Sequence, residues 1–276
     1  MLLTSSETAR RLEEADIAHI SRQIDACAQI FPNHRSFTAL VGDGLVSITL
    51  PSFKKKLNRI AGYGMSGPVS EDDLAKAEDL CTKNGVEIAI DLCSLADPSA
   101  IQVLGSRGYI VEGFVNSYVR ILTDDDLNAV GLEGVEISRV PPKRVAEFSK
   151  WSVDRYKDGG RAELLLDTLA RAAVLREDTT LYFAIIDGKV AASAGMALIE
   201  ASKGGVAHLY IDSTLPKYRG RGLQAALLKA RLVDARKAGF DLASIQARPG
   251  NGSCRNIERA GFGLAYTKAW FVKGRD

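Results

Sequence analysis

The sequence predicts an α/β protein in which a central mixed β-sheet is flanked by helices, and it predicts this arrangement twice. Apolar strand-like runs alternate with amphipathic helix patterns along the chain. A polar, glycine-containing join, Asp124-Asp125-Asp126 followed by residues 131–134, separates two halves. In the second half, Arg219-Gly220-Arg221-Gly222 connects a strand pattern directly to a helix pattern. We therefore expect two domains, residues 1–130 and 131–276.

Length and composition set the broad class. The chain has 276 residues and is 46% hydrophobic, which is enough to bury the cores of two domains. The net charge is only +2 and the basic residues are dispersed, so nucleic acid is not an expected partner. No apolar run approaches the ~18 residues that span a bilayer, so we expect no membrane partner either. The expected assembly is a monomer or a homodimer.

The cysteines indicate the compartment. Four are present, and they form neither a C-x-x-C pair nor a zinc-binding spacing, so no metal is expected. The N-terminus lacks the basic, apolar and small-residue order of a signal peptide. We therefore expect a cytoplasmic protein with reduced thiols.

The first half is predicted to run helix, two strands, helix, strand, helix, strand. The segments are a helix from Ser5 to Phe31, a hairpin of residues 37–41 and 45–50 around Gly42-Asp43-Gly44, a helix from Ser70 closed by Gly85, a strand at 86–92, a short helix at 99–106 and extended chain at 109–122.

A glycine motif in this half, residues 62–67, matches the dinucleotide-binding pattern G-x-G-x-x-G. The residues before it, Phe53 to Asn58, are basic and do not resemble a buried strand, and Pro68 interrupts the start of the helix. The motif therefore fails the strand-loop-helix test of a dinucleotide fold. A flexible loop is the preferred interpretation, and the lining of a shared pocket is the alternative.

The second half begins with a strand and helices and continues as a run of strands. The predicted segments are a strand at 135–140, helices at 145–156 and 161–175, strands at 181–186 and 190–199 joined at Asp187-Gly188, a strand at 206–212, a helix reaching Lys237 and stopped by Gly239, a strand at 242–247, a short helix between Asn251 and Phe262, and a last strand pair at 264–272.

The glycine loop predicts an anion site. Backbone amides at a helix N-terminus lack intrahelical partners, and the helix dipole is positive there, so phosphate oxygens bind well. Two glycines permit close approach of the ligand, and Arg219 and Arg221 add positive charge. Leu223 and Gln224 follow Gly222, so the loop is neither a Walker loop nor a dinucleotide loop.

The loop resembles the acetyl-CoA loop of the GNAT acetyltransferases, whose pattern is Gln or Arg, two residues, Gly, one residue, then Gly or Ala. Arg219 to Leu223 fit this pattern, whereas Gln224 replaces the small residue and Ala225 follows it. The polar turn at Asn251, the short helix and Gly261-Phe262 are also similar to the end of a GNAT domain. The resemblance covers roughly residues 133–273 and implies acetyl-CoA as co-substrate. The coenzyme-binding positions that it implies are Ser213, Thr214, Leu215, Arg219, Gly220, Arg221, Gly222, Leu223, Gln224, Ala225, Asn251, Ser253 and Asn256.

The resemblance extends into the first half. Leu104 to Tyr109 is similar to the Arg259-Ala260-Gly261-Phe262 ending, and the order of strands and helices agrees. No R-G-R-G segment stands before the helix at Ser70. We therefore expect two GNAT-like acyl-CoA N-acyltransferase domains, of which the first is degenerate and lacks the coenzyme loop.

Acetyl transfer to an amine needs a base for the amine and a proton for the leaving thiolate. His208, Tyr210 and Asp212 alternate along one strand and are expected to share a face, and His208 has the pKa nearest neutrality. Glu200 is a further candidate base. Ile257 stands where the family often has a tyrosine acid. Candidates for the acid are therefore Ser253, Cys254, Tyr266 or water, and a thiolate also leaves without an acid. His208, Asp212, Ser253 and Tyr266 are the predicted catalytic residues.

The predicted function is acetyl-CoA-dependent N-acetylation of a small-molecule amine by direct attack on the thioester. The alternative is a catalytically silent acyl-CoA-binding sensor or scaffold module, which Ile257 and the degenerate first half favour. A longer acyl donor and a hydroxyl acceptor remain open. The sequence does not identify the acceptor.

Overall fold

A computed structural model of the chain describes residues 5–128, 131–154 and 162–274. They divide into two compact units. The first contains the chain up to Ser117, Ala247–Pro249 and the chain from Leu264 onward, and the second contains Tyr118–Gln246 and Gly250–Gly263. The predicted domains, residues 1–130 and 131–276, differ from this division because the last strand packs within the first unit. As functional divisions they stay a prediction.

The first half of the chain forms the elements that its pattern predicts, with one addition. They are α1 Ser6–Ile30, β1 Phe37–Val41, β2 Gly44–Ile48, β3 Arg59–Ala61, α2 Glu71–Lys83, β4 Ala89–Cys93, α3 Pro98–Ser106 and β5 Tyr109–Ile121. Helix α1 begins where the Ser5 hydroxyl accepts a hydrogen bond from the Thr8 amide at 3.0 Å. Strand β3 is the addition, and the sequence hides it because it has only three residues.

The second half alternates in the predicted order. Its elements are β6 Glu136–Arg139, α4 Val145–Asp154, α5 Glu163–Leu175, β7 Thr179–Ile186, β8 Lys189–Ile199, β9 Val206–Thr214, α6 Leu223–Lys237, β10 Leu242–Ala247, α7 Gly252–Arg259 and β11 Gly263–Lys273. The predicted helix ends at residues 155, 156 and 161 and the boundary at residue 130 lie outside the described residues. The prediction of a last strand pair is wrong, because residues 263–273 form one continuous strand.

Both units have a mixed sheet. In the first unit the strand order is β1-β2-β3-β4-β11-β5, with β3 parallel to β4 and β11 antiparallel to β4. In the second unit β6, β7, β8 and β9 are successively antiparallel, and β10 then pairs with β9 in parallel. Helices supply the remaining apolar surface of each core. The predicted α/β class, with a mixed sheet flanked by helices, is confirmed.

Apolar packing fixes the helices on each sheet. In the first unit, Leu74 of α2 and Leu104 of α3 are fully buried against Ile60 and Ile90. In the second unit, Phe148 of α4 stacks on Phe183 of β7 with ring centroids 6.1 Å apart. Each such side chain stabilises the fold by about 1.5–3 kcal/mol when fully buried. Within the described residues, no helix is both long and apolar enough to cross a membrane.

The first unit also buries a cluster of charges. The Lys268 ammonium of β11 is fully buried and lies 2.8 Å from Asp16, 3.0 Å from Glu13 and 3.2 Å from Asp91. The Tyr266 hydroxyl donates to Glu13 at 2.6 Å. Arg59 also lies 3.9 Å from Asp91, so two cations face three buried carboxylates. Burial raises the pKa of Glu13 to about 7, although the attraction of Lys268 opposes the rise.

The raised pKa of Glu13 predicts a pH-dependent stability. A carboxyl group whose pKa is higher in the folded state contributes stability below its unfolded pKa and loses it as the pH rises through about 7. Glu13→Gln keeps an acceptor for Tyr266 but cannot ionise. From pH 5 to pH 8 the free energy of unfolding of Glu13→Gln should therefore rise relative to the original chain, on the order of 1–3 kcal/mol.

Guanidinium unfolding midpoints at several pH values measure this difference. Asp25→Asn, which removes an exposed carboxylate from the same helix, is the control and should show no comparable trend. A difference between Glu13→Gln and the original chain that stays constant with pH would contradict the assignment.

Candidate functional site

The predicted glycine loop lies in the second unit and joins β9 to α6. Gly220 and Gly222 have φ values of +76° and +75°, a left-handed conformation that side chains with a Cβ rarely adopt. A Cβ atom at Gly220 would meet nothing within 4 Å, so its glycine is needed for the backbone angle and not for space. Strand β9 ends at Thr214, two residues beyond the predicted strand, and Pro216 follows at the start of a short 3-10 turn.

The amides at the start of α6 are available to a ligand. Gly222 is the N-cap residue and has no side chain to accept from them, and the first backbone bond of the helix runs from Ala226 to the Gly222 carbonyl at 3.0 Å. For the amides of Leu223, Gln224 and Ala225, the described part of the chain offers no acceptor. Such amides carry partial positive charge and bind anions.

The charges around the loop also favour an anion. The first turn of α6 contains no acidic residue, and Arg219 and Arg221 are exposed. Arg221 and Lys217 lie over the Tyr218 ring, at 5.9 Å and 5.0 Å from its centroid. The loop therefore surrounds the free amides with cations and brings no carboxylate of its own.

Next to the loop, β9 and β10 separate. Their parallel register runs from Ala207 opposite Ala243 to Leu209 opposite Ile245, whereas β9 continues to Thr214. Beyond Leu209, the edge of β9 that faces β10 is thus unpaired with it. An extended ligand can form main-chain hydrogen bonds with such an edge.

The backbone of Thr214 points to this open edge. Leu215 donates its amide to the Ala191 carbonyl at 3.0 Å, so Leu215 faces β8. Hydrogen-bonded positions alternate along an antiparallel strand, which directs the Ser213 backbone to β8 and the Thr214 backbone away from it. The Ser213 hydroxyl lies 3.1 Å from that of Ser193. Of the three predicted positions 213–215, Thr214 is the one whose backbone points toward the open edge of β9.

A β-bulge changes which way Asp212 points. The register between β8 and β9 shifts near Gly195, and Ile211 has a φ of +55°. An extra residue in one strand reverses the alternation of side chains beyond it. The prediction of a shared face holds for His208 and Tyr210, whose rings stack on each other. It is wrong for Asp212, which contacts α6, whereas Tyr210 packs with the cluster around Phe148 and Phe183.

The Asp212 carboxylate binds Arg231, which is completely buried. The Arg231 guanidinium donates to both Asp212 oxygens, to the Gly195 carbonyl at 2.9 Å and to the Leu227 carbonyl at 3.0 Å. Removing one partner of such a pair is strongly destabilising. Asp212 therefore holds the bulge on α6, and the structure gives no support to its predicted role as a base.

Sequence reasoning missed Arg231, although the sequence contained a signal for it. The residue lies on the buried stripe of α6 among Leu227, Leu228, Leu232 and Ala235. An arginine on the apolar stripe of a helix requires a buried partner. Asp212, a carboxylate on a predicted buried strand, was the available candidate.

His208 lies where the two parallel strands begin to separate. It is 6% exposed, its Nδ1 atom lies 3.0 Å from the Ser244 hydroxyl of β10, and its ring stacks on Tyr210 with centroids 6.1 Å apart. The Tyr210 hydroxyl is 2.8 Å from that of Thr179, and burial raises the pKa of Tyr210 to about 12. Glu200, the other candidate base, follows β8 at the end paired with Val206, away from the glycine loop.

Helix α7 brings three predicted residues together. The Asn251 side chain accepts from the Ser253 amide at 3.1 Å and caps the helix. Gln224 donates to the Ser253 hydroxyl at 3.3 Å and accepts from the Asn256 amide group at 2.8 Å. The residue that departs from the family pattern thus connects the first turn of α6 to α7.

Tyr266 does not join this group of residues. It belongs to the first unit, is 5% exposed and donates its hydroxyl proton to Glu13. Ile257, at the position where the family often has a tyrosine acid, is 1% exposed. Cys254 is half-buried. Among the predicted acids, the structure places Ser253 and Cys254 on α7 and Tyr266 elsewhere.

A cavity of about 290 Å³ lies along α6 between this helix and β6. It is lined by Leu132, Arg139, Tyr182, Lys229 and Asp234, among others. Arg139 and Tyr182 both bind the Asp234 carboxylate, at 2.8 Å and 2.7 Å. Burial would raise the pKa of Asp234, but these two donors lower it. No group of three or more potential metal ligands occurs among the described residues.

Comparisons with known proteins agree with this geometry. Residues 145–262 match the family model described as the acetyltransferase (GNAT) family. No curated protein matches the chain significantly.

Solved structures match the chain over nearly its whole length. A GCN5-related N-acetyltransferase from Kribbella flavida has a TM-score of 0.68 and 17% identity, with 94% of this chain and 96% of that chain covered. A tandem GNAT protein from the clavulanic acid biosynthesis pathway, solved without AcCoA, has a TM-score of 0.62 and 12% identity, with coverages of 100% and 98%.

A GCN5-related N-acetyltransferase from Sphaerobacter thermophilus has a TM-score of 0.59 and 13% identity, with 95% of each chain covered. The TM-scores of these three structures establish the fold of this chain. The match to the family model covers the glycine loop, α6 and α7. The predicted resemblance is confirmed: residues 145–262 match the model of the GNAT acetyltransferase family, and the chain as a whole has the fold of tandem GNAT proteins.

Proposed function

We propose that the second unit binds acetyl-CoA and transfers its acetyl group to the amine of a small molecule. The observation that carries the proposal is the set of amides at Leu223, Gln224 and Ala225, for which the described chain has no acceptor. Together with Arg219 and Arg221 they suit a diphosphate, which brings several anionic oxygens to one point.

The open edge of β9 suits the extended arm of the same ligand. The Thr214 backbone points toward the edge left by β10, a few residues before the glycine loop. A pantetheine arm contains amide groups that add to a strand as a peptide does. Asn256 of α7 donates a hydrogen bond of 2.8 Å to the Gln224 side chain, and this bond holds α7 beside the start of α6.

Acetyl-CoA supplies a thioester carbonyl, at which the amine nitrogen forms a bond while the carbon–sulfur bond breaks and the thiolate departs. The Thr214 amide, which points toward the open edge of β9, is the proposed donor to the carbonyl oxygen. His208 is the proposed base for the amine proton, because it stands where β9 and β10 separate and Ser244 orients its ring. Ser253 on α7 is the proposed source of a proton for the thiolate.

Positioning contributes as much as proton transfer. Two reactants held in line behave as if at roughly 10⁵ M or more. Arg231 and Asp212 supply rigidity, since they fix the bulge of β9 to α6 from inside the core. The amides of Leu223, Gln224 and Ala225, which are proposed to bind the diphosphate, lie at the start of the same helix. Helix α6 therefore positions both the coenzyme and the open edge of β9.

A second candidate function is a sensor that binds acyl-CoA without turnover. It is favoured by Ile257, which is a buried aliphatic side chain at the position where the family often has a tyrosine acid. Release of free thiol, followed over a panel of amines, separates the two functions. Binding without thiol release on any amine supports the sensor.

Binding of acetyl-CoA is expected to depend on Gly222. At a ligand concentration of about 100 Kd the original chain should gain about 2.7 kcal/mol of stability, seen as a higher Tm. Gly222→Glu places a carboxylate at the N-terminus of α6 and strains a left-handed position, so the ligand-induced rise in Tm should disappear.

Gly188→Glu is the matched control. Gly188 has a φ of +71° and open surroundings, so the substitution brings the same charge and a similar backbone strain to the β7–β8 turn. This variant should keep the ligand-induced rise in Tm. A rise that survives in Gly222→Glu, or one that is absent from the original chain at millimolar acetyl-CoA, would count against the proposed site.

The role of His208 predicts a kinetic defect without a binding defect. His208→Gln keeps a polar side chain but removes the base, and kcat for amine-dependent thiol release should fall by about 10²- to 10⁴-fold. The Kd for acetyl-CoA should remain within about a factor of three, since the diphosphate amides are untouched. Calorimetry and a thiol assay supply the two values. Unchanged kcat would exclude His208 as the base.

A further inference from the structure

The first unit contains a loop in the same topological position as the coenzyme loop. Residues 62–70 follow β3 and lead to α2, and β3 is parallel to β4, the strand that follows α2. In the second unit, residues 215–222 follow β9 and lead to α6, and β9 is parallel to β10, the strand that follows α6. The G-x-G-x-x-G motif at residues 62–67 is thus the counterpart of the R-G-R-G segment. The expectation that no strand precedes this motif is wrong, because β3 ends at Ala61.

The two loops share backbone angles. Gly62 and Gly64 have φ values of +74° and +76°, and Gly220 and Gly222 have values of +76° and +75°. Alternating left-handed residues turn successive amides toward one point and form a nest for an anion. The first unit therefore retains the backbone of an anion site.

That nest already contains a carboxylate of the chain. Asp43, at the turn between β1 and β2, accepts from the Gly64 amide at 2.9 Å through Oδ1 and from the Ser66 amide at 2.8 Å through Oδ2. Amide hydrogen bonds to a carboxylate are stronger than those to a neutral acceptor. In the second unit, Asp187 lies at the corresponding β7–β8 turn, and within the described residues none of the amides 220–225 binds a side chain.

The start of α2 is closed to anions as well. The Ser70 hydroxyl caps it by accepting from the Asp73 amide at 3.1 Å, and its first turn carries Glu71, Asp72 and Asp73. Loop residues 62–70 include no Lys or Arg. The cavity beside the loop, of about 200 Å³, is lined by the side chains of Asp43 and Asp73. Each of these features opposes the approach of a diphosphate, and α6 has the opposite arrangement.

We propose that Asp43 is an internal substitute for the coenzyme phosphate: its carboxylate permanently occupies the anion nest of the first unit, which therefore takes no coenzyme. The chain then binds one acetyl-CoA, and the first unit is a GNAT fold whose coenzyme loop is closed by a side chain and is not absent. The role of Asp43 stands on its own contacts, whereas the stoichiometry rests on the proposed function of the second unit.

Two measurements on the full chain test this proposal separately. Calorimetric titration with acetyl-CoA should give one site for the original chain and none for Gly222→Glu. Two sites in the original chain, or one that remains in Gly222→Glu, would overturn the proposal. No site in the original chain would count against the proposed function of the second unit and would leave the decision on Asp43 to the second measurement.

The second measurement is chemical rescue. Asp43→Ala empties the nest and should lower the Tm by several degrees, and sodium formate, a small carboxylate, should restore more of that Tm than sodium chloride at equal ionic strength. Asp72→Ala is the control, because it removes an exposed carboxylate from the same region with the same change in net charge and no contact with the loop amides. Formate and chloride should act alike on this control.

Equal effects of formate and chloride on Asp43→Ala would overturn the assignment. If Asp43→Ala does not fold, Asp43→Asn replaces it, with hydrogen exchange as the readout. Its side chain has an NH₂ group in place of one of the two oxygens that accept from Gly64 and Ser66, so exchange at one of these residues should accelerate while the core of α2 is unchanged. Unchanged exchange at both residues would likewise contradict the role of Asp43.

Discussion

The backbone amides at the beginning of a helix have no acceptor within the helix, and the rest of this structure depends on how they are satisfied. In the first unit the Ser70 hydroxyl accepts from the Asp73 amide of α2, and the Asp43 carboxylate of the β1–β2 turn accepts from amides of the loop that precedes the helix. In the second unit the described chain provides no acceptor for Leu223, Gln224 and Ala225, and it places Arg219 and Arg221 beside them. The amides before α2 thus have acceptors within the first unit, whereas the amides at the start of α6 stay available to a ligand.

The free amides at the start of α6 can bind a ligand beside β9 only if β9 is held in a fixed position. The bulge at Ile211 interrupts the pairing of β9 with β8, and the end of the β9–β10 register leaves the last residues of β9 without a strand on that side. The buried Arg231 compensates, since its guanidinium bonds to Asp212 and to the Gly195 carbonyl. A buried ion pair is weak evidence for stability in general, but here it fixes the register of a strand edge.

Local features were predictable from the sequence and non-local ones were not. The glycine loop, the start of α6 and the short α7 follow from glycine angles, caps and apolar spacing, all of which act within a few residues. The bulge at Ile211 depends on the register of β8, which no local pattern specifies. Strand β3 has only three residues, which is too short for a periodic pattern to predict it. Strand β11 pairs with β4, which is far from it in sequence, and no local pattern specifies that pairing. The local pattern around Asp43 predicts only a hairpin turn. Its role as an acceptor depends on the distant Gly64 and Ser66 amides, which the fold brings to it.

Hydrogen exchange of backbone amides, measured with and without coenzyme A, tests the central claim most directly. The account predicts slower exchange at Leu223, Gln224 and Ala225 when the coenzyme is present, and no change at residues 62–70. Exchange that is unaffected at the start of α6, or slowed in the loop that Asp43 closes, would contradict it.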